Sequence, residues 1–122
     1  MTSEKAFLPT EVTNAEVVTA NTGAGTLQRE SVAAAVELLR ALGHVSRLMI
    51  LCHLTIREHS VSELEALLQE RQSAISQHLA RLRADGLVTF RREGKTLYYS
   101  INDARTMSTI THLHKLFCSS SS

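Results

Sequence analysis

Apolar side chains recur at helical spacing from Leu27 onward. Val32, Val36, Leu39 and Leu42 fall three or four apart, with alanines between them, and predict a first helix that Gly43 ends as a C-terminal cap. A second helix is predicted over His44 to Arg57. Its Val45, Leu48, Met49, Leu51, Cys52, Leu54 and Ile56 make it apolar on most sides, so it should be the central buried element. Ser60 and Glu63 have the spacing of a capping box and open a short third helix whose apolar stripe is Val61, Leu64, Leu67 and Leu68. A fourth helix, about Gln72 to Ala84, turns Ile75, Leu79 and Leu82 inward. Ser73, Gln77, Ala80 and Arg81 fall on its opposite face, with Ser76 at the edge, and His78 lies nearer the buried side, where a packing role suits it.

After Asp85-Gly86 the period changes from helical to alternating. Val88 and Phe90, then Leu97, Tyr99 and Ile101, predict two strands over Leu87–Arg92 and Thr96–Ile101, joined around Glu93-Gly94-Lys95. Asn102 or Asp103 can cap a last helix, about Ala104 to Phe117, with Met107, Ile110, Leu113 and Phe117 as its stripe. The expected organisation is a flexible tail over residues 1–26, one domain over 27–118 and a short tail over 119–122. The fold class is mainly α with a β-hairpin, in the order of a winged helix-turn-helix.

Composition narrows the class. Of 122 residues 43% are hydrophobic and 20% charged, an ordinary globular mix, while 4% aromatics and no Trp require an aliphatic core. No apolar run is long enough to span a bilayer and the first residues lack a signal-peptide core, so a cytoplasmic protein is expected. The net charge of +1 is uninformative until it is mapped. Residues 71–95 hold six basic residues (Arg71, Arg81, Arg83, Arg91, Arg92 and Lys95) against Asp85 and Glu93. A basic segment of +4 on a chain otherwise at −3 is the footprint of a modest DNA reader, although a solvated helix face followed by a charged hairpin has the same composition. Short hydroxyls, amides and one guanidinium on the fourth helix suit base edges and phosphates, and a basic hairpin after such a helix can reach the backbone or a minor groove.

The stretch Gln72-Ser73-Ala74-Ile75-Ser76-Gln77-His78-Leu79-Ala80-Arg81-Leu82-Arg83, followed by Asp85-Gly86-Leu87-Val88 and Leu97-Tyr98-Tyr99-Ser100-Ile101, resembles the ArsR/SmtB family of bacterial winged-helix repressors. The likeness runs from Arg47 to Ile101, within about two thirds of a chain whose N-terminal tail it excludes. It implies a homodimer formed through the first and last helices, bound to an inverted repeat in double-stranded operator DNA. Arg71, Gln72, Ser73, Ser76, Gln77, His78 and Arg81 would lie at the recognition helix, with Arg91, Arg92 and Lys95 on the wing. One departure stands out: Gln69-Glu70-Arg71 fills the turn before the recognition helix, where the family usually has a small turn and a Ser or Thr cap.

The family's common metal sites are missing. Ser60 and Ser62 stand where one site has Cys-x-Cys; Arg105 replaces the His of an Asp-x-His that would begin at Asp103; and His112 and His114 are two apart. There remain two cysteines, Cys52 in the second helix and Cys118 at the end of the last, 66 positions apart. Two structural thiols would account for them. Their arrangement is also similar to the persulfide- and sulfide-responsive branch of the family, which implies sensor thiols joined by a disulfide or polysulfide bridge on reaction with low-molecular-weight persulfides, the bridged form releasing DNA. On that reading no metal or cofactor is needed. Two competing readings are a metal-responsive repressor using Cys52, His114 and Cys118, and a winged-helix interaction module that no longer binds DNA. A thiol enzyme is disfavoured, since no Cys-x-x-Cys and no strand-helix redox pattern is present.

Overall fold

Each predicted helix forms, and the residues that start and stop it are identifiable. In the computed structural model residues 28–118 are described, so both predicted tails lie outside the described residues. The chain divides into two compact units, 1–36 and 37–122; the first is represented here by residues 28–36, the opening of helix α1 (Arg29–Leu42). Then follow α2 (Val45–Ile56), β1 (His59–Ser60), α3 (Val61–Leu68), α4 (Gln72–Ala84), β2 (Val88–Glu93), β3 (Thr96–Ile101) and α5 (Ala104–Phe117).

Helix α1 ends at Leu42, next to the expected Gly43, but not by a left-handed glycine cap: positive φ is confined, among the described glycines, to Gly86 and Gly94. The Arg47 guanidinium instead donates to the carbonyls of Ala41 (2.7 Å) and Arg40 (3.2 Å), covering the last acceptors of the helix. A Cβ at Gly43 would stand 3.3 Å from the Leu39 carbonyl oxygen, so close approach rather than chain reversal explains the glycine. The expected capping box is present: Ser60 Oγ accepts from the Glu63 N–H at 3.2 Å and the Glu63 carboxylate accepts from the Ser60 N–H at 2.9 Å. Of the two candidates for the last helix, Asp103 is the cap, accepting from both the N–H and the hydroxyl of Thr106.

The core is aliphatic. Ile50 and Leu51 from α2, Leu64 from α3, Ile75, Leu79 and Leu82 from α4, Val88 from β2 and Ile110 from α5 are all fully buried or nearly so. Helix α2 packs against α3, α4, α5 and β3, as a central helix should. Its burial is less complete than its composition suggested: Val45 and Ile56, at its two ends, and Met49 between them lie exposed.

The hairpin forms one residue later than predicted at its start and takes in Glu93. Its two-residue loop, Gly94-Lys95, has a positive φ of 66° at Gly94, the sign a type II′ turn requires at its first central position. One strand was not foreseen. Residues His59 and Ser60 pair with Tyr99 and Tyr98, giving a three-stranded antiparallel sheet in the order β1-β3-β2. Among the described residues no helix is long and apolar enough to cross a membrane.

Candidate nucleic-acid interface and thiol pair

Helix α4 separates two chemistries by its period. Ile75, Leu79 and Leu82 anchor one face in the core. Arg71, Gln72, Ser73, Ser76, Gln77, Ala80 and Arg81 are all exposed, so every member of the predicted reading face except His78 is open to a ligand. Arg81 is shared with Asp85 at 3.0 Å, an exposed pair one helical turn apart. No carboxylate among the described residues pairs with Arg71, Arg92 or Lys95.

The turn before α4 solves its missing cap in another way. Arg71, at the N-cap, makes no side-chain capping bond. Gln69 adopts the left-handed conformation (φ 57°), unusual for a residue with a side chain, and its N–H closes α3 on the Glu65 carbonyl at 2.8 Å. Glu70 then reaches back to α2, where its carboxylate accepts from the hydroxyl of the buried Ser46. His78 stands half-buried behind it, with Nε2 3.9 Å from the other Glu70 oxygen and its ring 4.6 Å from that of His44, the N-cap of α2. Burial holds the His78 imidazole below its usual pKa, His44 and Arg47 add to this, and Glu70 opposes it. His78 thus packs behind the leading turn of the helix.

Charge also orders the wing. Arg91 forks onto Glu58 (2.6 to 3.0 Å), bonds Glu93 at 2.9 Å and lies over the Tyr98 ring at 4.9 Å. Those bonds hold the Glu58 carboxyl below the usual range and push the guanidinium pKa up. Arg83, from α4, covers the Phe90 ring at 4.4 Å and ties helix to hairpin. Arg92 and Lys95 point into solvent.

The cysteines sit on helices that pack against one another, α2 and α5. Cys52 is half-buried beside the core and Cys118 is exposed at the α5 C-cap; they are not bridged. Burial, then the proximity of Cys118, pushes the Cys52 thiol pKa up. Among the described residues no three His, Cys, Asp or Glu side chains are placed to hold a metal, so Cys52, His114 and Cys118 do not form a ligand set within this chain.

Sequence reasoning missed Ser46, Glu58, Glu70 and Arg83 as supports of the interface. Glu70 gave a signal as part of an atypical turn and Arg83 as part of the basic segment; Ser46 and Glu58 gave none, because each bonds a residue 24 or 33 positions away.

Comparison with known proteins accords with this geometry. The model of the bacterial regulatory protein arsR family matches residues 44–89. The transcriptional activator HlyU of Vibrio cholerae is 48% identical over 86 residues, 70% of this chain and 80% of that protein. The biofilm growth-associated repressor of Agrobacterium fabrum is 43% identical over 81 residues, 66% of this chain and 69% of that one. The solved structure of reduced HlyU from Vibrio cholerae superposes with a TM-score of 0.71 at 46% identity, covering 73% of this chain and 94% of that one.

Proposed function

The chain belongs to the ArsR/SmtB family of bacterial DNA-binding transcription regulators, and from that premise we propose that it is a cytoplasmic homodimeric repressor released from operator DNA when Cys52 and Cys118 react with persulfides. The observation that carries the sensing part is the juxtaposition of a half-buried and an exposed thiol on two helices in direct contact. Ser73, Ser76 and Gln77 read base edges in a major groove, while Arg71, Gln72, Arg81, Arg92 and Lys95 meet phosphates. Val32, Val36 and Leu39 on α1, and Leu116 and Phe117 on α5, are exposed apolar residues on the helices expected to form the dimer.

Accessibility sets the order of the chemistry. Cys118, exposed, attacks the outer sulfur of a persulfide RS–SH as thiolate, becoming Cys118–S–SH and releasing RSH. Cys52, deprotonated, then attacks the Cys118 Sγ, forming the disulfide and expelling hydrogen sulfide. Two thiols are oxidised, one sulfane sulfur is reduced, and the balance is two thiols plus RSSH to disulfide, RSH and hydrogen sulfide. If both thiols are sulfurated first, one attacks the other and a trisulfide forms with the same loss of hydrogen sulfide. Either bridge ties α2, which supports both α4 and β3, to α5. A coupling of roughly 1–3 kcal/mol changes DNA affinity by about 5- to 150-fold.

The test is intact mass of anaerobic reduced protein after glutathione persulfide, with hydrogen peroxide in parallel. The expected product has lost two hydrogens, with or without added sulfur, mapped to Cys52 and Cys118, and forms faster with persulfide. Cys52→Ser and Cys118→Ser should each keep DNA binding and lose the response. Loss of DNA binding by both unreacted variants would assign the thiols a structural role instead.

A further inference from the structure

Four carboxylates, Glu58, Glu70, Asp85 and Glu93, lie within or beside the DNA-facing part of the molecule, where negative charge works against phosphate. All four are bonded, and for Glu58 and Glu70 helix α2 or the residues that follow it supply one side of the bond. Near the start of α2, Ser46 donates to Glu70 in the turn that leads into α4. Just beyond its end, Glu58 grips Arg91 of the wing through three contacts between 2.6 and 3.0 Å. The residues directly after Glu58 form β1, which is hydrogen-bonded to the wing strand β3. We propose that Glu70 and Glu58 are positioning residues that clamp the recognition helix and the wing to opposite ends of α2, and that Arg91 belongs to the wing clamp and makes no phosphate contact.

The proposal rests on α4 and the wing being the DNA interface. Glu70 replaces the absent N-terminal cap of α4 as the group fixing that helix's leading turn, with Ser46 as its anchor and His78 and His44 packed behind it. Arg91 has its fork filled by Glu58, its remaining amino group on Glu93 and one face over Tyr98. A planar guanidinium engaged on these sides holds strand β2 in place, and Arg92 and Lys95 are left to the DNA backbone.

The experiment is operator binding by reduced full-length protein across a salt series, by fluorescence anisotropy. The probe is a duplex selected from a random pool by the same protein. Removing a negative charge near DNA tightens binding if the carboxylates act only through their field. The clamps predict the opposite sign: Glu58→Gln and Glu70→Gln each weaken binding by about tenfold. Arg91→Ala weakens it similarly with an unchanged dependence on log salt, whereas Arg92→Ala lowers that slope by roughly 0.9 per bound protomer. Arg91→Lys, which keeps a point charge but not the fork, fails to rescue. Glu58→Gln combined with Arg91→Ala is no worse than either alone, and Ser46→Ala combined with Glu70→Gln behaves likewise. Circular dichroism and the thermal midpoint of each variant separate misplaced elements from an unfolded chain; Arg91→Lys is the variant to use if Arg91→Ala does not fold. Tighter binding by either Gln variant, or a slope change in Arg91→Ala equal to that in Arg92→Ala, would overturn the proposal. If Arg92→Ala and a Ser73→Ala, Gln77→Ala double variant also bind normally, the interface reading fails and the clamps fail with it.

Discussion

The recognition helix and the wing face the same expected ligand, yet they are held by different forces. Helix α4 sinks Ile75, Leu79 and Leu82 into the core, all of them inaccessible to solvent. The wing has only Val88 fully in the core; beyond it, partly buried Tyr99 and Ile101, strand pairing, Arg83 over Phe90 and the exposed Arg91–Glu58–Glu93 group hold its place. Burial is indifferent to moderate salt, whereas exposed ion pairs contribute little singly and are screened. The wing is therefore the softer of the two elements. The difference also teaches that exposed charge is not available charge: Arg91 and Arg92 are sequence neighbours, both exposed, and one is bonded while the other pairs with no carboxylate among the described residues.

The sharpest way to break the comparison is to damage each support in turn. Leu79→Ala should cost about 2–5 kcal/mol of stability, read as a shift in the denaturation midpoint, because a buried side chain leaves a cavity. Wing-clamp variants should move that midpoint far less, because exposed ion pairs contribute little to stability. Next in size, the Ser73→Ala, Gln77→Ala double variant should lose about 1–3 kcal/mol of discrimination for each base contact removed, with nonspecific DNA binding little changed, measured by competition between selected and random duplexes.

A smaller effect separates the thiols. Iodoacetamide should label exposed Cys118 first. Labelling of Cys52 should lag, and its rate should still be climbing with pH beyond the ordinary thiol value of about 8.5, since burial and Cys118 push its pKa up. Equal rates at neutral pH would remove the basis for the proposed order of attack.

The smallest effect is on pH, and it again divides helix from wing. His78 and His53 are held below the ordinary imidazole value, chiefly by burial, so the folded state resists their protonation. The stability tied to this is fully present above about pH 6.5 and is lost as pH falls through the lowered folded values. Glu58 is lowered by its bond to Arg91, so the wing contact persists through that window and is lost only as pH falls below the ordinary glutamate value of about 4.3, through the lowered one. Amide exchange should show the leading turn of α4 loosening on mild acidification while β2 is unchanged, and His78→Gln should reduce the α4 effect.

The sequence made much of this fold legible because its signals are local. Helical periodicity, the Ser60–Glu63 box and the alternation after Gly86 each act within a few residues, and the elements formed where they indicated. Strand β1 was not legible: two residues carry no period, and their pairing is decided by β3, some forty positions away. Gly43 was misjudged in mechanism, since the α1 terminus is covered by Arg47 rather than by a left-handed turn. For the site, exposure of the α4 face followed from helix geometry. The commitment of Arg91 did not, because Glu58 is distant in sequence and carries no motif. The branch-level assignment of the cysteines rests on resemblance and spacing, to which the structure adds helix contact and a raised Cys52 thiol.

The most direct test of the account is to follow binding and bond formation in the same sample. Reduced protein on its selected duplex would be titrated anaerobically with glutathione persulfide, with anisotropy and intact mass read at each point. Release of DNA in proportion to a Cys52–Cys118 bridge, reversed by dithiothreitol, is the predicted result. A fully formed bridge with the protein still bound at unchanged affinity would contradict it.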